Sequence, residues 1–173
     1  RPLHGANIQR SQEPRRAAEH WWFIKILSLP REIYIMTEAQ VAEQIMIAFT
    51  GISKLIKAED QFSSFDYEND NYLFEIKSRR KAYDPWIIEQ LKLDTNIGLA
   101  ESVKKDFIYV NEFEGYLYIW NISKLIRQDY DFRFHSRKMP WQTDFDRTQT
   151  VNKMTGYLYN KDATIVDTKS TNP

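Results

Sequence analysis

The 173-residue chain is neutral overall, with 24 Lys and Arg against 24 Asp and Glu, and it contains no cysteine. Balanced charge gives no molecule-wide attraction to polyanions or membranes, so any polyanion site has to be a local patch. The lack of cysteine excludes disulfides, thiolate metal ligands and Cys nucleophiles together, and it fits a reducing, cytoplasmic setting.

The length suits one core with appendages rather than two domains. Residues 1–35 mix Arg, Gln and Pro before Met36 opens a cleaner pattern. They are expected to be an N-terminal extension, poorly ordered or not native, although Trp21, Trp22, Phe23, Ile24 and Ile26 have the character to dock on a core. This apolar stretch, residues 21–29, is interrupted by Lys25 and falls far short of the roughly 20 residues of a spanning helix, so no membrane segment is expected.

From Thr37 onward the elements become legible. Thr37 has the character of an N-cap for a helix through about Phe49, with Val41, Ile45 and Ala48 on one stripe, Glu43 on the flank and Gly51 as the stop. Residues 61–67 and 72–77 read as strands joined by the turn Glu68-Asn69-Asp70-Asn71, a β-hairpin. Asp84-Pro85 reads as a cap and first helical proline for a helix over 86–105, with Ile88, Leu91, Leu99 and Val103 as its apolar positions. Residues 107–110 and 116–120 are rich in β-branched and aromatic side chains and suggest a second hairpin around 111–115. The order helix, hairpin, helix, hairpin is that of an α/β core over 36–126. Residues 127–173 form a C-terminal extension, packed on the core or partly ordered, with one more short element at 151–159.

Strand alternation places Leu73, Glu75 and Lys77 on one face and Tyr72, Phe74 and Ile76 on the other. If Tyr67 pairs with Tyr72, Asp66 lies opposite Leu73 and diagonal to Glu75, with the two carboxylates on one face some 7 Å apart. A register shifted by one residue would send Asp66 to the other face. Two such carboxylates suit Mg²⁺ or Mn²⁺, which keep several waters and touch phosphate oxygens, and phosphodiester hydrolysis is the natural chemistry. Lys77 would then orient or help deprotonate the attacking water.

Phe65-Asp66, an eight-residue gap and Glu75-Ile76-Lys77 together resemble the motif of the PD-(D/E)XK nuclease superfamily. The resemblance implies a mixed four-stranded sheet flanked by helices, a restriction-endonuclease-like core, over roughly residues 37–122. Its order is helix, three-strand meander, helix, strand, with 55–57 supplying a short first strand. It also implies Asp66 and Glu75 as metal ligands, Lys77 as the catalytic lysine and Glu43 as the first-helix carboxylate. Gln90 and Lys92 match the polar positions of the family's second helix, and Ser78-Arg79-Arg80-Lys81 supplies a basic patch for phosphate. Phe65 stands where the motif has proline.

The function implied is a Mg²⁺- or Mn²⁺-dependent nuclease acting on nucleic acid, DNA foremost, with a homodimer as the simplest arrangement for paired cuts. The alternative is a catalytically inactive nuclease-like fold serving as a nucleic-acid-binding or protein-interaction module. Residues 141–159, especially Val151-Asn152-Lys153-Met154 and Gly156-Tyr157-Leu158, look similar to tails on viral members of the superfamily, which implies phage or viral origin and, in that case, the cytoplasm of the host cell.

Overall fold

The structure, a computed structural model, describes residues 35–60, 63–142 and 146–169, and the side chains of 141–148 lie outside that description. All described residues belong to one compact unit, Ile33–Pro173. The reading of residues 1–34 as an extension falls outside the described residues.

The protein is mixed α/β, with sheets flanked by helices. Helix α1 (Glu38–Ala48) begins at a capping box, in which the Thr37 hydroxyl accepts from the Gln40 N–H and the Gln40 side chain accepts from the Thr37 N–H. Three short or medium strands follow: β1 (Ile56–Lys57), β2 (Tyr67–Glu68) and β3 (Tyr72–Ser78). The β2–β3 turn closes through Asn69, whose side chain accepts from the Asn71 and Tyr72 N–H groups.

Residues 86–89 are strand rather than helix: β4 (Trp86–Glu89) precedes α2 (Gln90–Ser102). The alternating burial of Trp86 and Ile88 suits a strand that pairs with a distant partner, and only after Glu89 does the chain turn helical. The late start also resets the helix's inner face. Leu93, Asn96 and Ala100 are buried, at helical i, i+3 and i+7 spacing, whereas Leu91 is 77% exposed.

Strands β5 (Asp106–Phe113) and β6 (Tyr116–Asn121) form the expected second hairpin, longer than its sequence core. Its two-residue loop, Glu114-Gly115, has positive φ at both positions, as a twist-matched tight turn requires. A short helix α3 (Ile122–Arg127), capped by Asn121, follows. The C-terminal part adds β7 (His135–Gln142), β8 (Asp146–Leu158) and β9 (Thr164–Asp167).

The main sheet has six strands, in the order β1-β2-β3-β5-β6-β9, instead of the four expected; a second sheet has three, β4-β8-β7. The difference arises because β6 and β9 extend the edge beyond β5, and β9 comes from the stretch expected to be an appendage. Strands β3 and β5 are parallel, joined through β4 and α2, and the remaining neighbours are antiparallel.

Each face of the main sheet is covered. Val41, Ala42 and Ile45 of α1 pack on Tyr67, Phe74, Ile76, Ile108, Val110 and Leu117. On the other face Leu73, Phe107, Tyr109 and Trp120 meet Leu93 and Ala100 of α2 and Trp86, Ile88 and Leu158 of the second sheet. Phe74 and Ile76 therefore face α1, and Glu75 faces the α2 side.

Candidate metal and phosphodiester site

The strands set the site through their register. Tyr67 pairs with Phe74 and Glu68 with Leu73, so the same register carried one step further sets Asp66 opposite Glu75. The hairpin is thus shifted by two residues from the expected Tyr67–Tyr72 pairing. An even shift preserves the face of every side chain, so Asp66, Glu75 and Lys77 remain together and Asp66 moves closer to Glu75. Backbone contacts hold the arrangement: the Asp66 N–H donates to the Phe74 carbonyl at 2.8 Å, and the Asp66 Oδ2 accepts from the Ile76 N–H at 2.6 Å.

Glu75 is the centre of the site, with its side chain 2% exposed. Lys77 Nζ lies 2.7 Å from its Oε1 and 4.0 Å from Asp66 Oδ2, and Lys92 Nζ approaches the same Oε1 at 3.7 Å. Oε1 is thus held by the Lys77 ammonium, whereas Oε2 has no hydrogen-bond partner among the described residues. Burial pushes the Glu75 carboxyl above its ordinary range; the Lys77 ammonium works against that, Asp66 reinforces it, and Lys92 opposes it more weakly. For Lys77, burial pulls the ammonium down, but the charges of Glu75 and Asp66 outweigh it and the net direction is upward. Lys77 is therefore a held cation, a donor rather than a proton acceptor, so long as those carboxylates face it alone.

Helix α2 closes the site. Lys92 Nζ and Asn96 Nδ2, one turn apart on one face, both donate to the Ser64 carbonyl, at 3.3 and 2.9 Å. This fastens α2 to the loop that carries Asp66. Gln90, at the first turn of α2, is half-buried.

Beside Glu75 and Lys77 on the parallel neighbour β5 stand Tyr109 and Asn111. Arg79 folds onto them: its Nε donates to Asn111 Oδ1 at 2.9 Å and its Nη2 to the Tyr109 hydroxyl at 3.3 Å, while that hydroxyl donates to the Ile87 carbonyl at 3.3 Å. Burial pushes the Tyr109 phenol up, with the nearby Arg79 and Lys77 charges opposing it, so the hydroxyl stays protonated. Ser78 is engaged as well, its hydroxyl donating to the Met36 carbonyl at 2.6 Å. Arg80 and Lys81, past the end of β3, are exposed.

Of the residues singled out in the sequence, the structure brings together Asp66, Glu75, Lys77 and Lys92. Glu43 is placed elsewhere: it is exposed on α1, whose buried side packs on the Phe74 and Ile76 face of the sheet. Among the described residues no three Asp, Glu or His side chains form a metal-binding group. Asn96, Tyr109 and Asn111 are additions that sequence reasoning missed. The i+4 spacing from Lys92 was a usable signal for Asn96, whereas Tyr109 and Asn111 join the site only through the parallel β3–β5 pairing.

Among the described residues no helix is long and apolar enough to cross a membrane. No family model matches the chain, and neither a curated protein nor a solved structure is significantly similar to it.

Proposed function

We propose that the protein is a metal-dependent nuclease of the PD-(D/E)XK type that hydrolyses phosphodiester bonds in DNA. The observation that carries this reading is the Glu75 carboxylate, buried with its Oε2 unpartnered among the described residues and its Oε1 against the Lys77 ammonium, set across a hairpin from Asp66. Buried carboxylates in structural roles are normally satisfied by donors; an oxygen left open beside a second carboxylate suits a cation from solution. The order of elements in the main sheet lends support: with β4 given to the second sheet, α1, β1, β2, β3, α2 and β5 give helix, three-strand meander, helix, strand, and β1-β2-β3-β5 are contiguous.

The donor set fits Mg²⁺ or Mn²⁺, since these ions take one or two carboxylates and leave their remaining positions to water and phosphate. Asp66 and Glu75 would hold the ion, which would polarise the phosphoryl oxygen and acidify a water. Lys77, a cation on the same face, donates to the phosphate or holds the attacking water in line. Lys92 neutralises Glu75 from the helix side, and Asn96 keeps the Asp66 loop against α2. Exposed Arg80 and Lys81, with the free part of the Arg79 fork, meet neighbouring phosphates.

The test is cleavage of supercoiled plasmid and labelled single strands in Mg²⁺, Mn²⁺ or EDTA, with Lys77→Ala run alongside to expose contaminating nuclease. Cleavage that needs metal and falls by about 10²-fold or more in the variant is expected. Absence of cleavage, with no heat on titrating Mn²⁺ into the protein, would leave a nuclease-like binding module instead.

A further inference from the structure

We infer that the β7–β8 ribbon is a duplex-binding arm that lies in the major groove of DNA. The inference names the substrate form of the site proposed above and rests on that reading for the choice of DNA as the polymer.

Strand β4 pairs only with the base of β8, from Trp86 against Leu158 to Glu89 against Thr155. Beyond that point residues 146–154 are paired with β7 alone, and β7 is the edge of the sheet. The chain thus forms a two-stranded ribbon running about 25 Å past the end of β4, at roughly 3.3 Å per residue. A two-stranded β-ribbon is one of the two elements that a major groove about 12 Å wide admits.

The charge of the ribbon departs from that of the molecule. The whole chain is neutral, yet residues 132–143 carry Arg133, His135, Arg137 and Lys138 with no acid, and 149–161 carry Lys153 and Lys161 with no acid. Between these two stretches the sequence has acids, Asp144 and Asp146, beside Arg147. Arg133 is paired with Asp131 and Lys153 with Glu89, whereas Arg137 and Lys138 are exposed and have no ion-pair partner among the described residues.

The two faces divide the work. Register puts Ser136 against Met154 and Lys138 against Asn152, with Thr150 further out, and all five side chains are exposed. A cation, an amide, two hydroxyls and a thioether form a face able to meet base edges. Arg137, on the other face beside Lys153, is placed for a phosphate. The base of the arm is tied to the site: Lys153 Nζ reaches Glu89 Oε2 at 3.0 Å, and Glu89 lies three residues, under one helical turn, before Lys92.

The experiment is fluorescence anisotropy of the full chain with a labelled duplex and with its single strand, in EDTA so that cleavage is off, over a range of salt. The duplex should bind more tightly than the single strand. In Arg137→Gln the slope of log K against log salt should fall by about 1, whereas Arg137→Lys should keep it. Matching thermal melts of the variants exclude unfolding as the cause. An unchanged slope, equal binding of the single strand, or competition by polyglutamate as effective as by duplex overturns the inference. Because binding is read without metal, an inactive catalytic site would not mimic that failure, and a silent arm would leave metal-dependent cleavage of the plasmid to be judged separately.

Discussion

Replacing Lys77 with methionine probes the site through stability, independently of any activity. The substitution keeps most of the side-chain length and removes the ammonium 2.7 Å from Glu75, leaving a 2% exposed carboxylate with only Lys92, at 3.7 Å, as a counter-charge. Removing one partner of a fully buried pair costs about 3–5 kcal/mol. Lys77 is itself 35% exposed, so solvent screens part of the attraction and Lys92 supplies part of what is lost, which brings the expected loss to about 2 kcal/mol at pH 7. The pH dependence carries a sign. Burial already raises the folded-state pKa of Glu75 above its unfolded value, and loss of Lys77 raises it further. The penalty is present in full above the folded pKa, shrinks as pH falls towards the unfolded value near 4.5 and vanishes below it, where the carboxyl is protonated in both states. Urea denaturation of both proteins at pH 7 and pH 4.5 should therefore show the difference shrinking in acid. Adding Glu75→Gln to the variant should recover stability rather than lower it. A deficit of equal size at both pH values, or strictly additive losses in the double variant, would refute the electrostatic account.

Asp66→Asn keeps an oxygen to accept from the Ile76 N–H but removes the charge, so Mn²⁺ binding heat should vanish while the thermal melt shifts by less than about 1 kcal/mol equivalent. Gly156→Ala should cost about 1–3 kcal/mol in denaturant, because a Cβ there would sit 2.9 Å from Phe132 Cβ and the Phe134 ring. Thr37→Ala removes the capping box of α1 and should cost about 1 kcal/mol by the same measurement.

The site was more legible in the sequence than the sheet around it. Asp66, Glu75 and Lys77 could be grouped because strand parity is local, and that parity survives a two-residue slide in register. Strand β4 was not legible, since Trp86-Ile87-Ile88-Glu89 runs straight into a helical stretch and its strand partner is the remote Tyr157 region. The apolar side of α2 was misjudged for the same reason: once the first turn is given to β4, Leu91 faces solvent and Asn96 turns inward. The six-stranded sheet depends on β9 pairing with β6, a contact between segments some 50 residues apart that neither segment announces. Glu43 shows the limit of matching a residue type to a helix: its place on the exposed side of α1 is set by Val41, Ala42 and Ile45 taking the inner side.

The two faces of the main sheet make the strongest physical contrast in the molecule. Under α1 the interface is largely apolar, with Phe74, Ile76, Ile108 and Val110 filling it and the buried Glu112 set beyond them near the end of β5, where the Gly115 N–H donates to it. At the same level on the other side stand Glu75, Lys77, Tyr109 and Asn111, with Lys92 and Asn96 turned toward them. Glu75 Oε2, Asn96 Oδ1 and Asn111 Nδ2 are buried there without partners among the described residues. Each open group costs about 1–3 kcal/mol unless solvent or a ligand meets it, and a domain of this kind has only about 5–15 kcal/mol of net stability to lose. An apolar filling like that under α1 would be more stable. A polar row retained at that cost, on strands that hold two carboxylates and a lysine in fixed register, is what the proposed ion and anionic-substrate site would require, and it is why the activity assay and the Lys77 stability series belong together.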